Sequence, residues 1–255
     1  MVSGANFEIS NIFSAASETI GKNLGLYLGL SLLLAGSPTF LLYWWQGQFV
    51  TTGDPRELFA IYTSSAFLRP AALVWLISMI THAALQAGLA RATTESLSGQ
   101  AVSAVDTLET GFALLLPVFA IGLILTIGTF LASLLFVVPG VILWLCWCVA
   151  IPAYVAERPG VMAAFGRSLA LTRGERGNIF VIMLVVVIGV GILGGVAGFT
   201  VGMVMGRSLI VTALVQAFVA GVSSMVSATV LTTVYVALVK AKEGPARAEL
   251  ETVFT

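Results

Sequence analysis

Long apolar runs alternate with short polar connections along this chain. Six runs are candidates for membrane-spanning helices, and they cover residues 24–45, 71–90, 112–137, 141–155, 179–205 and 209–239. A helix needs about 20 mostly apolar residues to cross roughly 30 Å of hydrocarbon. None of the six runs contains Asp, Glu, Lys or Arg, each of which costs about 2.5 to 3.5 kcal/mol at the centre of a membrane helix. The pattern predicts an all-α, polytopic membrane helical bundle in which residues 1–255 form a single integral membrane domain.

A tight hairpin is expected between the third and fourth runs, which are separated only by Val138, Pro139 and Gly140. Proline and glycine end helices and turn the chain. The fourth run is the shortest of the six. The six-span arrangement therefore depends most on whether this run crosses the membrane completely.

Each odd-numbered run follows a short segment in which apolar residues recur at helical spacing. The first segment covers residues 1–23, and in the second Ser103 and Asp106 have the spacing of a helix N-cap. In the third, Arg167 projects away from the apolar arc, so this helix fits the plane of the lipid headgroups. The apolar positions that share a face in the first and third segments are Ile9, Ile12, Phe13, Ala16 and Ile20, and Val161, Met162, Phe165 and Leu169. We expect a threefold unit of interfacial helix, span and span, with accidental periodicity in three polar connections as the alternative.

Charged residues are scarce and lie in the connections. They form 9% of the chain, against roughly 25% in soluble domains, so most of the outer surface must meet the lipid bilayer. The absence of a dense basic run argues against nucleic acid as a partner. In a six-span arrangement, the side of the termini holds Lys22, Arg91, Arg158, Arg167, Arg173, Arg176, Lys240, Lys242 and Arg247, and the other side holds Arg56, Arg69 and Arg207. Because cytoplasmic connections retain Lys and Arg, both termini, including the tail 240–255, are expected in the cytoplasm, together with the interfacial helices.

Four of these arginines gather between the fourth and fifth runs: Arg158, Arg167, Arg173 and Arg176. Basic side chains near the membrane surface attract anionic headgroups by about 1 kcal/mol each. Contact with anionic lipid is therefore one interpretation of the cluster. Retention of the loop in the cytoplasm is the alternative, because it requires the same charges.

Small residues recur at four-residue spacing in the fifth run, at Gly194, Gly198, Gly202 and Gly206, and the sixth run carries Ala217 and Gly221 at the same spacing. Small residues allow the close backbone approach that holds membrane helices together. The spacing predicts that the fifth and sixth runs pack through these faces. The same stripe could equally mediate a homodimer or simply tolerate flexibility. A homodimer or a membrane-protein partner is the partner expected besides the lipid bilayer.

His82 is the only histidine, and it lies deep within the second run with Gln86 one turn away. A proton relay or a substrate site would need a second ionisable group, and the runs contain no carboxylate. We expect a neutral His82 that forms a hydrogen bond across a helix interface. Ligands for a metal are too few, and Cys146 and Cys148 point to different sides of a helix. No catalytic, cofactor-binding or metal-binding residue is therefore expected.

One stretch carries a resemblance to a known family. It comprises VVPGV at 137–141, AIP at 150–152, Glu157, and AFGRSLALTRG at 164–174. This stretch resembles the glycerophosphoryl diester phosphodiesterase membrane-domain family and related uncharacterised bacterial polytopic proteins. The resemblance implies a multi-pass protein of the bacterial inner (cytoplasmic) membrane. The catalytic domain to which such modules are fused has no counterpart in this chain, so no catalytic residue is transferred.

Two functions fit these features. The first is a non-catalytic membrane protein that organises lipid or a partner protein, since no acid and base pair lies within the runs. The second is a transporter or channel for a small solute or a lipid, supported by the interruption expected at Ser37 and Pro38, the glycine-rich fifth run and the internal repetition. A transporter would need a polar cavity near the middle of the bilayer. An intramembrane enzyme would need His82 within about 3 Å of a serine or cysteine side chain.

The predicted topology can be tested by cysteine accessibility. In a chain without Cys146 and Cys148, single cysteines at position 167 and in the tail 240–255 should react with a membrane-impermeant maleimide from the same, cytoplasmic side. Labelling of the two positions from opposite sides would refute the six-span arrangement.

Overall fold

The chain folds as a bundle of helices, as the apolar pattern predicts. The computed structural model describes residues 8–49, 55–204 and 208–253, is 91% helical and has no strand among them. The helices are α1 (Ile9–Lys22), α2 (Leu24–Ser31), α3 (Ser37–Phe49), α4 (Pro55–Thr63), α5 (Ser65–Leu97), α6 (Ala104–Ala113), α7 (Leu115–Leu135), α8 (Val137–Trp147), α9 (Ala150–Glu157), α10 (Val161–Thr172), α11 (Arg176–Val204) and α12 (Leu209–Val253).

Six segments of the described chain are long and apolar enough to cross a membrane, which confirms the predicted number of spans. They are Leu24–Phe49, Ser65–Leu97, Leu115–Leu134, Val137–Glu157, Arg176–Met203 and Leu209–Gly244, here spans 1 to 6. The protein is therefore a multi-pass membrane protein. The sequence pattern did not predict α4, which lies between spans 1 and 2.

Helices α1, α6 and α10 precede spans 1, 3 and 5, as the amphipathic segments predicted. The hydroxyl oxygen of Ser103 accepts a hydrogen bond from the Asp106 amide at the start of α6. Each helix buries one face against the bundle, represented by Ile12 in α1, Thr107 in α6 and Phe165 in α10. We call the side of the bundle on which these three helices and the end of α12 lie the terminal side.

Several predicted boundaries were wrong by a few residues. The third run was placed at 112–137, but the chain breaks at Leu114, and Phe112 belongs to α6. The predicted tail 240–255 is not separate, because α12 continues through Val253. Residues 1–7 of the first segment and residue 205 at the end of the fifth run lie outside the described residues. Periodicity locates apolar faces, but helix ends depend on local capping.

The turn between spans 3 and 4 lies at Phe136 and not at the predicted Pro139 and Gly140. Phe136 is extended, with φ −159° and ψ 152°, and both predicted turn residues belong to the first turn of α8. Proline is tolerated there because the first amides of a helix have no carbonyl partner within it. The absent side chain of Gly140 lets α8 lie directly against Ser133 of α7.

Span 4 consists of two helices, because α8 ends at Trp147 and α9 begins at Ala150. Pro152 has no amide hydrogen for the carbonyl one turn earlier, which weakens a continuous helix here. The Ser168 hydroxyl of α10 donates a hydrogen bond to the carbonyl of Cys146 at 2.8 Å. Helix α10 therefore satisfies a carbonyl at the bend and is held against it.

Span 1 stays helical through Ser37 and Pro38, where an interruption was expected. The preceding residues Leu32–Gly36 form a π-helical turn, closed by the Ser37 amide donating to the Leu32 carbonyl. Proline cannot donate to the carbonyl one turn earlier and its ring crowds that group, and the wider π turn relieves this crowding. The expected break is a local bulge in a continuous span.

Helices α5 and α6 cross at a pair of glycines. A Cβ atom on Gly88 would lie 2.7 Å from the Thr107 carbonyl oxygen, and one on Gly111 would lie 2.6 Å from the Ala84 carbonyl oxygen. Real Cβ atoms do not approach a carbonyl this closely, so the crossing requires glycine on each helix.

Replacement of Gly111 by valine should lower stability by about 1 to 3 kcal/mol, because the added methyl groups force the two helices apart. Thermal unfolding of the purified protein in detergent measures the change. Gly198→Val is the matched control, since no neighbouring atom lies within 4 Å of its Cβ position. Equal midpoints for the two variants would contradict the assigned crossing.

Candidate functional site

A cavity of about 450 Å³ lies between spans 1, 2, 3, 4 and 6. Its volume is within the range of about 300 to 1,000 Å³ that is typical of small-molecule sites. Most of its wall is apolar and includes Phe119, Trp144 and Ile151. The uncharged polar side chains of the wall are those of Thr39, Ser78, His82, Gln86, Thr126 and Ser224.

His82 and Gln86 both line this cavity from α5, and His82 is exposed to it. Gln86 Nε2 lies 3.3 Å from His82 Nε2. Since the amide nitrogen donates, the ring Nε2 accepts and the neutral ring carries its proton on Nδ1. The expectation of a hydrogen bond across a helix interface was wrong: a neighbour one turn away in the same helix accounts for the bond, and the ring faces an open space.

The hydroxyl groups of the wall present mainly acceptors. Thr39, Ser78 and Thr126 each donate to the carbonyl four residues earlier in their own helix, at 2.8 Å. Their oxygen lone pairs remain available to the cavity. Ser224 Oγ has no hydrogen bond with another described residue. Within the described wall, Cys148 and His82 are the only titratable side chains, and Cys148 is almost fully buried.

The cavity is bounded by two groups of spans and by span 2, which contacts both groups. Val149 and Ala153 of span 4 and Val234 and Leu238 of span 6 belong to one buried cluster. Helix α8 packs against α7, α10 and α11, whereas α3 packs against α5 and α12. Spans 3 and 4 thus lie on one side of the cavity and spans 1 and 6 on the other, and span 2 joins the two groups.

The glycine stripe of span 5 does not meet span 6 as predicted. Only Gly194 has a neighbour there, with its Cβ position 3.6 Å from Val219 Cγ1. The Cβ positions of Gly198 and Gly202 have no neighbouring atom within 4 Å, and Gly206 lies outside the described residues. Spans 5 and 6 pack instead near the terminal side, through the buried residues Ile179, Ile182, Met183, Val230 and Val234.

The small residues of span 6 face span 1. A Cβ atom on Gly36 would lie 2.9 Å from the Ala217 carbonyl oxygen, and one on Gly221 would lie 2.8 Å from Leu32 Cδ2. The π turn of span 1 therefore occupies the small-residue face that the sequence assigned to span 5. Close backbone approach is confirmed for Ala217 and Gly221, but its partner was wrong.

Arg167 is bound by two carboxylates at the terminal side. Its Nε lies 2.8 Å from Glu157 Oε2, and its Nη2 lies 2.5 Å from Glu243 Oε1. Tyr235 donates a hydrogen bond to Glu157 Oε1 at 2.7 Å. These carboxylates raise the pKa of Arg167, with the Glu157 hydrogen bond as the largest cause. The guanidinium of Arg167 is thus occupied by protein, and the predicted headgroup contact does not fit this residue.

The other three arginines of the cluster have different surroundings. Arg158 and Arg173 are exposed and form no ion pair with a described residue. Arg158 also has a left-handed backbone, with φ 50°. Arg176 is half-buried, and its Nε has no hydrogen-bond partner among the described residues. A headgroup contact of the predicted kind therefore has room at Arg158 and Arg173.

The sequence analysis did not predict several residues that contact Arg167 and α10 or line the cavity. Tyr235, Lys242 and Glu243 lie on α12, and Lys242 Nζ donates to the Ala170 and Arg173 carbonyls at 2.7 Å. The sequence analysis did not predict this contact, because it assigned residues 240–255 to a separate tail. Polar residues within the apolar runs are the available signal for Ser78 and Ser224, but many similar hydroxyls in the spans face no cavity.

No family model, curated protein or solved structure matches this chain. The resemblance to the phosphodiesterase membrane-domain family stays a prediction. Its residues have structural roles here, since Glu157 pairs with Arg167 and Ser168 bonds the bend of span 4. Among the described residues, no group of three or more His, Cys, Asp or Glu side chains is placed to hold a metal ion.

The Arg167–Glu157 pair should contribute to stability. We expect Arg167→Ala and Glu157→Ala to be less destabilising together than the sum of the single changes, with a coupling energy of about 1 kcal/mol, the upper end for partly exposed pairs. Thermal unfolding of the four proteins in a double-mutant cycle measures it. Arg173→Ala serves as the control and should leave the midpoint unchanged. A coupling of zero would mean that the pair does not hold α10 to span 4.

Proposed function

We propose that this protein is a non-catalytic membrane protein that binds and carries a membrane-dissolved small molecule or lipid in the cavity between its spans. The observation that supports this function is the cavity itself, lined by His82 and Gln86 near the middle of α5. A transporter was expected to need a polar cavity within the bilayer, and this cavity has a mostly apolar wall with six hydroxyl, amide and imidazole side chains. The alternative is a protein that only organises lipid or a partner protein. That alternative does not account for the cavity between the spans.

The walls favour a molecule that is already dissolved in the bilayer. Apolar side chains such as Phe119, Leu123 and Trp144 suit a hydrocarbon body, and a few hydroxyl and amide groups suit a polar end. On the side of the chain that leads towards the end of α12, Val234 and Leu238 are buried in a packed cluster. Entry from the lipid phase agrees with both features.

We further propose that the terminal side is cytoplasmic in a bacterial inner membrane. The excess of Lys and Arg on this side supports the orientation. The guanidinium groups of Arg158 and Arg173, which have no partner among the described residues, are suited to anionic headgroups. Lipid contact at this surface would complement binding within the cavity.

A tryptophan at position 122 should fill the cavity and abolish binding. Gly122 lines the cavity, and its Cβ position has no neighbouring atom within 4 Å, so the large ring has room without displacing a helix. Native mass spectrometry of the purified protein should show a co-purified membrane molecule on the wild type and its loss from Gly122→Trp.

Gly198→Trp is the matched control, because it adds the same ring in the same kind of helix but outside the cavity. This variant should retain the bound molecule. Thermal unfolding of both variants checks that they are folded. Equal occupancy of wild type and Gly122→Trp, or no bound molecule on the wild type after extraction and after addition of total membrane lipid, would refute the proposed function.

A further inference from the structure

We infer that the molecule bound in the cavity is an uncharged lipid that carries a free hydroxyl group and a carbonyl oxygen. This inference rests on the proposed function and specifies the ligand of the same site. It follows from the charge of the wall and from the donors and acceptors that the wall leaves unused.

The described wall contains no Lys, Arg, Asp or Glu side chain. An ionised group that is moved from water into an apolar surrounding loses its hydration, and only an opposite charge or a dense set of hydrogen bonds compensates. The basic residues of the terminal side are engaged elsewhere, as Arg167 is with Glu157, or lie outside the wall. A phosphate headgroup would find no cation in this cavity.

Several acceptors of the wall are unused. The hydroxyl hydrogens of Thr39, Ser78 and Thr126 are already donated to backbone carbonyls. Their oxygen atoms, and the Gln86 carbonyl oxygen, can accept further hydrogen bonds. Ser224 Oγ is unpartnered among the described residues and can accept or donate. A ligand that brings a hydroxyl donor satisfies this set better than one that brings acceptors alone.

The wall residues also leave three N–H donors unused, which are the second amide hydrogen of Gln86, the indole N–H of Trp144 and one ring N–H of His82. With Nε2 accepting from Gln86, the ring carries its hydrogen on Nδ1. This N–H has no hydrogen bond with another described residue. An ester or ketone oxygen on the ligand would accept it. A hydroxyl group and a carbonyl oxygen on an otherwise apolar molecule therefore match the wall.

Three matched probes separate these requirements. The first is 1,2-dioctanoylglycerol, which has a hydroxyl group and ester carbonyls. The second is dioctanoyl phosphatidic acid, in which a phosphate replaces the hydroxyl hydrogen. The third is the dioctanoyl ester of 1,2-propanediol, which lacks the hydroxyl group. Binding of radiolabelled dioctanoylglycerol to the full chain in detergent micelles is measured, with the other two probes as unlabelled competitors.

Dioctanoylglycerol should bind to the wild type and not to Gly122→Trp. The phosphorylated probe and the propanediol ester should each compete about tenfold more weakly than unlabelled dioctanoylglycerol, the ratio expected for one unsatisfied polar contact. Competition by phosphatidic acid at an equal concentration would overturn the uncharged class. Equal competition by the propanediol ester would overturn the hydroxyl requirement.

Adjacent serines provide a matched pair of variants. Ser224→Ala removes an unpartnered hydroxyl from the wall and should weaken dioctanoylglycerol binding about three- to tenfold. Ser223→Ala should leave binding unchanged, because the Ser223 hydroxyl donates to the Val219 carbonyl at 2.6 Å and does not line the cavity. An equal effect of the two changes would argue against the assigned contact.

The proposed function and the proposed class of ligand can be refuted separately. If dioctanoylglycerol does not bind, the ligand class is wrong. If a different molecule, such as an anionic phospholipid, is nevertheless lost from Gly122→Trp and retained by Gly198→Trp, the proposed function stands without the ligand class. If no molecule distinguishes these two variants, both are refuted.

Discussion

The cost of placing a charge in hydrocarbon organises this molecule. It keeps Lys, Arg, Asp and Glu out of the six apolar runs and concentrates ion pairs at the terminal side, where Arg167 meets Glu157 and Glu243. It also explains why the cavity is lined by hydroxyl, amide and imidazole groups, which need no counter-ion. The same constraint thus places the ion pairs that join helices at the terminal side and leaves the described cavity wall without Lys, Arg, Asp or Glu.

Close backbone approach supplies the second level of organisation. Glycines at the crossing of α5 and α6, and between spans 1 and 6, bring carbonyl oxygens to distances that no side chain would allow. Because lipid tails are as apolar as the helices, such packing replaces the hydrophobic effect as the attraction between spans. The exposed glycines Gly198 and Gly202 show that small residues at helical spacing permit this contact but do not select the partner.

Span 4 illustrates how proline, glycine and serine residues shape a short apolar run. Pro139 and Gly140 start α8 against α7, Pro152 follows the bend, and Ser168 satisfies a carbonyl at that bend. Arg167 then joins the end of span 4 to α12 through two carboxylates. A run too short for a simple span is thereby built into the bundle as two helices, and its bend brings Cys148 to the cavity wall.

The sequence by itself determined the all-α class, the number of spans and the positions of α1, α6 and α10, because these follow from hydropathy and periodicity along the chain. It also singled out His82 and Gln86 as unusual. Only the tertiary structure decided that both residues face a cavity, that span 1 and not span 5 covers Ala217 and Gly221, and that Arg167 is paired. Those outcomes depend on which helices become neighbours, and any apolar span can face lipid or another span at similar cost, so hydropathy does not specify the choice.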